Sequence, residues 1–230
     1  MIRHEGCANV HHGCTSDKVA RQWGDQMEAP QLKCPNCKAS FDYTAKFCAA
    51  CRTPLELPKA LCDLEYGEFD TQIRSIIEIA RLDKSKLEDL TPKAHAVFDG
   101  IGETELISGA LLLAKSGISL DPAVSILVKE LYSKGLAPGQ ENFVEALSCI
   151  KGNTKVIRAM TSLAQYEVSE ERQARPLWAL GAIGDPSTRG FVEYWASRGR
   201  PAAKVALKLF GTGTFQMIKE EHKRIAKLHW

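Results

Sequence analysis

Two observations predict a mainly α protein with a small, differently built module near its N-terminus. From about Leu61 almost to Trp230, apolar residues recur every three or four positions, and no run alternates with the period of two that marks a strand. Upstream that rhythm is missing, and the chain instead carries two Cys-x-x-Cys hooks, Cys34–Cys37 and Cys48–Cys51, separated by ten residues. The expected division is a polar arm over 1–32, a small hook-bearing module over 33–57, a linker over 58–68 marked by Pro54 and Pro58, and a helical domain over 69–230.

Each helix has its own start or stop signal. Phe69, Ile73, Ile76, Ile77, Ala80 and Leu82 lie on one face of an amphipathic helix. Thr91-Pro92 reads as an N-cap followed by proline at the first helical position, opening a helix through Val97 and Phe98 that Gly100 and Gly102 close. Helices are then expected from Leu106 to Ala114, stopping near Gly117, and from Asp121-Pro122 through Leu131, stopping at Gly135. Ala137-Pro138 opens the helix of Phe143 and Leu147, which Gly152 ends. Asn153 caps Val156 to Leu163, Pro176 to Ile183 ends at Gly184, and Asp185-Pro186 caps the helix of Phe191, Val192 and Trp195. Segments from Ala202 to Phe210 and Phe215 to Leu228 complete the series.

Four stretches of this series align with one another: Ala110–Gly117, Ala146–Gly152, Ala179–Gly184 and Ala206–Gly211, with starts 27 to 36 residues apart. That is the period of a helical hairpin, a unit with too little core to stand alone, so neighbours must stack. Arg175-Pro-Leu-Trp-Ala-Leu-Gly-Ala-Ile-Gly-Asp-Pro186, with Phe191-Val192 and Ala202 to Leu207 after it, resembles a unit of the HEAT family, most clearly over 175–211. The resemblance implies an α-solenoid of HEAT-like hairpins, in which the Ala-Leu-Gly and Ile-Gly-Asp elements close one helix and turn into the next.

The hooks carry the most specific chemistry. Two Cys-x-x-Cys pairs deliver four thiolates, Cys34, Cys37, Cys48 and Cys51, to tetrahedral corners, the ligand set of a structural zinc site with no open position. Residues 33–55 also resemble the short zinc-ribbon family, through Pro35-Asn36 in the first hook, Ala45-Lys46-Phe47 before the second and Pro54-Leu55 after it. Lys38 and Arg52 depart from it: they stand where the family usually has the glycine that relaxes the tight turn, so some strain is expected there. A second site assembled from Cys7 and Cys14 with His4, His11 or His12 is the weaker reading, because the six-residue gap matches no standard hook.

The composition, 44% hydrophobic and 25% charged, is that of a folded globular protein, and no stretch approaches a membrane span. The start lacks the apolar core of a secretory signal, so the expected compartment is the cytoplasm. No phosphate-cradling loop, Gly-x-Ser-x-Gly elbow or histidine cluster marks catalysis in the helical part. Cys149, Trp178 and Trp195 are expected in the core, and His95 as a partly buried packing residue. The expectation is a non-enzymatic zinc-binding adaptor that holds a protein partner on its inner helices between about Leu106 and Phe210. The alternative is nucleic-acid binding through the basic C-terminal helices and the hook module, where Lys33, Lys38, Lys46 and Arg52 are interleaved with Phe41, Tyr43 and Phe47.

Overall fold

The computed structural model describes residues 32–227 apart from Gly100, Pro138 and Val168; the expected second metal site at Cys7, Cys14, His4, His11 and His12 lies outside the described residues. By its internal contacts the chain divides into two units that meet between Cys62 and Asp63. The first contains two knuckles, each closed by one isolated antiparallel bridge, Lys33 to Ser40 and Phe47 to Pro54, and then the start of helix α1 (Glu56–Tyr66). This helix corrects the expected break in regular structure over 58–68. Pro58 is its third residue, where the missing N–H has no intrahelical partner to lose.

Among the described residues the second unit consists of helices joined by turns. After α2 (Phe69–Leu82), Asp83 accepts a hydrogen bond from the Ser85 N–H and starts a short 3-10 turn that runs into α3 (Leu87–Phe98). The expected cap at Thr91 is therefore not used, and Pro92 lies inside α3. Next come α4 (Glu103–Lys115), α5 (Asp121–Lys134), α6 (Glu141–Ser148), α7 (Thr154–Tyr166) and α8 (Glu170–Ile183). The series ends with α9 (Pro186–Ser197), α10 (Pro201–Lys208) and α11 (Phe215–Lys227). A turn closed by the Gln140 N–H on the Ala137 carbonyl delays α6 to Glu141. Helix α8 starts six residues before Pro176, with Glu170 and Glu171 in the first turn, where negative charge is favourable.

The helices pack in two rows. Along one row α2 contacts α4, α4 contacts α6, α6 contacts α8 and α8 contacts α10; along the other, α3, α5, α7 and α9 follow in the same way. The four aligned sequence segments all fall at the C-terminal ends of the even helices α4, α6, α8 and α10. Each ends in a glycine with positive φ, at Gly117 (72°), Gly152 (70°), Gly184 (65°) and Gly211 (72°). Ala110, Ala146, Ala179 and Ala206, which open the segments, are all buried.

Successive turns touch one another. Asn153 caps α7 by accepting from the Val156 N–H, and its Nδ2 donates to Ser119 Oγ at 2.8 Å. Lys155 Nζ meets Asp121 Oδ1 at 2.6 Å. Between the ends of α8 and α10 the Gly211 N–H donates to the Gly181 carbonyl at 2.8 Å, and a Cβ on Gly184 would lie 2.1 Å from Gly211 Cα. Glycine is required at that crossing for space as well as for conformation.

Helix α11 leaves the row pattern. It packs on α10 and α8 and reaches α6, all of the even row. Trp178 of α8 is buried there, with Phe215 edge-on at 5.8 Å and His222 at 5.4 Å between ring centroids. Two expected core residues, and one expected to be partly buried, fall elsewhere. Cys149 is exposed, because it follows the last turn of α6 and Ile150 takes the buried place. His95 is exposed, off the Leu90, Ala94, Val97 and Phe98 face of α3, and Trp195 is only half-buried.

Candidate metal centre

The two knuckles are built alike, with an offset of fourteen residues. In the first, the Cys34 N–H donates to the Ala39 carbonyl and the Lys38 N–H to the Cys34 carbonyl; in the second, Cys48 pairs with Thr53 and Arg52 with Cys48 in the same sense, all four at 2.9 Å. The flanks repeat the offset, since the Phe41 N–H donates to Leu32 and the Leu55 N–H to Lys46. Tight reversals of this kind need a left-handed residue just after each hook. Lys38 (φ 64°) and Arg52 (φ 61°) supply it, and among the described residues they are the two non-glycine positions with positive φ. The expected departure at these two residues is thus visible as backbone strain.

Folding back on itself, the module brings all four cysteines together, with their sulfur atoms within 4.8 Å of one another. Cys34 Sγ lies 3.5 Å from Cys51 Sγ, and Cys37 Sγ the same distance from Cys48 Sγ. Both pairs are far beyond the roughly 2.05 Å of a disulfide. Four sulfurs about 2.3 Å from a tetrahedral ion stand about 3.8 Å apart, so this cage has the size for such an ion. Beneath it, Cys34, Cys48 and Leu55 are buried, with Ala39, Phe41 and Ala45 packed around them. That core is too small to hold the knuckles alone, and a cross-linking ion would contribute much of the folding free energy.

Cys34, Cys37 and Cys51 compete for ionisation. The backbone N–H groups of Cys37 and Asn36 favour the Cys34 thiolate against its burial and hold its pKa below the ordinary value. The Thr53 hydroxyl, followed by the Thr53 N–H, lowers Cys51 to about 6. At Cys37 the Ala39 N–H also favours the thiolate, but the Cys51 and Cys48 thiols, burial and Cys34 together outweigh it and push the pKa up to about 12. A divalent cation would remove that conflict, because it favours the deprotonated form of every ligand.

Thr53 is a residue that hook spacing alone does not single out. Its Oγ1 lies 3.1 Å from Cys51 Sγ and accepts from Asn36 Nδ2 at 3.3 Å, joining the two knuckles. Of the residues weighed for nucleic-acid contact, Lys33, Lys38, Lys46 and Arg52 are exposed, while Phe41 and Tyr43 are half-buried. Lys38 Nζ is turned back onto the Pro35 carbonyl at 3.0 Å, and Lys59 Nζ covers the Tyr43 ring at 5.6 Å. Phe47 is 55% exposed and is not part of the module's core.

Among the described residues no other group of three or more His, Cys, Asp or Glu side chains converges, and no helix is long and apolar enough to cross a membrane. No family model matches the chain, and neither a curated protein nor a solved structure is significantly similar to it.

Proposed function

We propose that the protein is a zinc-binding adaptor of the cytoplasm, non-enzymatic, in which a zinc ribbon is joined to a HEAT-like α-solenoid that holds a protein partner. The observation that carries this reading is the pairing of a closed four-thiol cage with two stacked rows of helices. Zinc suits the donor set: Cys34, Cys37, Cys48 and Cys51 would fill all four positions and leave none for substrate, which makes the ion structural. A reducing compartment keeps such thiols available for metal. Stacked helical pairs offer a long surface without chemistry of their own, and the partner is assigned to the even helices between Leu106 and Phe210.

Metal analysis of the purified chain is expected to give one zinc, lost in Cys37→Ser while the helical unit keeps its circular dichroism. Copurification from native lysate is expected to recover a protein; nucleic acid with no protein would overturn the adaptor reading. The second reading, nucleic-acid binding, is favoured by one observation, the exposed Phe47 ring on a module that also exposes Lys33, Lys46 and Arg52. It requires an affinity for a random oligonucleotide that falls steeply with salt.

A further inference from the structure

The four sulfurs of the cage are unequal in access. Cys37 is exposed and Cys51 half-buried, while Cys34 and Cys48 are buried. The two sulfur contacts at 3.5 Å both run between the knuckles, Cys37 to Cys48 and Cys34 to Cys51, so each buried sulfur stands against a more accessible one. These pairs lie 11 and 17 residues apart in the chain, against three within a hook. A bond across the knuckles therefore restrains more of the unfolded chain than a bond inside a hook, and it ties the same two parts that a bound ion ties.

In a loaded cage all four ligands are thiolates, so access decides which reacts first, and Cys37 is the one that solvent reaches. With hydrogen peroxide as oxidant, the Cys37 thiolate attacks one peroxide oxygen, the O–O bond breaks, and a sulfenic acid forms as hydroxide departs. The Cys48 thiolate, 3.5 Å away, then attacks the Cys37 sulfur; the S–O bond breaks and a second hydroxide leaves. Two thiolates have given up two electrons, and one peroxide has become two hydroxides. Cys34 and Cys51 remain as two donors, half of the set that a structural zinc site needs. Their own contact offers a second peroxide the same pairing.

We propose that the cage is a peroxide-responsive modification site: Cys37 takes the oxidant, Cys48 resolves it, and a disulfide across the knuckles replaces the cross-link of the ion as the ion is released. What is released rests on the zinc reading, whereas which sulfurs join rests on the cage geometry alone. Loss of the ion by oxidation then differs from its loss by chelation. Chelation leaves the knuckles with the small core of Cys34, Cys48 and Leu55, whereas oxidation keeps them joined where Asn36 Nδ2 already donates to Thr53 Oγ1 at 3.3 Å. A dithiol reductant with added zinc restores the loaded form.

The test uses the full chain carrying Cys149→Ser, which removes an exposed thiol outside the cage. Zinc-loaded protein is titrated with hydrogen peroxide, zinc release is followed with a chromogenic chelator, and disulfides are mapped by mass spectrometry. Release is expected to track formation of the Cys37–Cys48 bond, with Cys34–Cys51 following. A first bond within a hook, Cys34–Cys37 or Cys48–Cys51, overturns the proposal, as does release without any disulfide. Amide exchange over 33–55 is a second measurement: the oxidised chain is expected to stay within about three-fold of the loaded chain, and the chelated chain to exchange about ten-fold faster or more. Equal exchange in the oxidised and chelated chains overturns the proposal. A chain that carries no zinc removes the zinc reading alone, because the disulfides of the oxidised metal-free chain still decide the pairing: bonds across the knuckles support it, and bonds within the hooks overturn it.

Discussion

Lys38 and Arg52 hold φ angles of 64° and 61°, a region in which a Cβ costs roughly 1–2 kcal/mol relative to glycine. Lys38→Gly and Arg52→Gly are each expected to tighten metal retention two- to five-fold, about 0.5–1 kcal/mol after allowing for the looser unfolded chain. Competition with a chelator measures this. Weaker retention in either variant would show that its positive charge beside four thiolates matters more than its backbone. The four clustered cysteines were legible in the sequence because hook spacing is a local property of the chain. Thr53 was not, because its contact with Cys51 Sγ and Asn36 arises only when the second knuckle folds onto the first.

Among the elements, the even-helix ends make a contrast that can be measured. Gly184 has both a positive φ and Gly211 Cα in the way of a Cβ, whereas Gly152 has the positive φ with nothing within 4 Å. Gly184→Ala is expected to cost about 2–4 kcal/mol and Gly152→Ala about 1 kcal/mol in urea unfolding; equal costs would mean that conformation alone governs these turns. Helix α11 has a pH dependence of its own. Burial against Trp178 lowers the pKa of His222, with Glu170 opposing in part, so the folded state favours the neutral ring. That contribution is complete above the unfolded pKa of about 6.5 and is lost as pH falls through the lower folded value. Amide exchange in α11, corrected for its intrinsic rate, is expected to be faster at pH 5.5 than at pH 7.5, and His222→Phe to remove the difference. Helix positions were readable from apolar spacing, and the caps at Asn153 and Asp185 are those the sequence indicates. The starts of α3 and α8 were not, because Pro92 and Pro176 look like first residues and sit instead inside longer helices.

For the whole molecule, the division between Cys62 and Asp63 separates a unit whose knuckles enclose only Cys34, Cys48 and Leu55 among the described residues from one that buries apolar residues along most of its helices. Chelation is therefore expected to unfold the knuckles while leaving the main thermal transition of the helical unit within about 2 °C of its original midpoint, as followed by circular dichroism. A coupled loss of both would show that the units depend on one another. The two-row packing could be anticipated from the aligned segments, whose starts lie 27 to 36 residues apart; the path of α11 could not, since α11 lies outside the four segments. The contacts between turns tie one unit to the next: Asn153 to Ser119 and Lys155 to Asp121 span 34 residues, and Gly211 to Gly181 spans 30. A chain built of such units tolerates changes of length unequally. Splicing in a complete helical pair between one glycine turn and the next leaves each even helix beside another even helix, whereas adding two or three residues within an even helix rotates its buried alanine away from its neighbour.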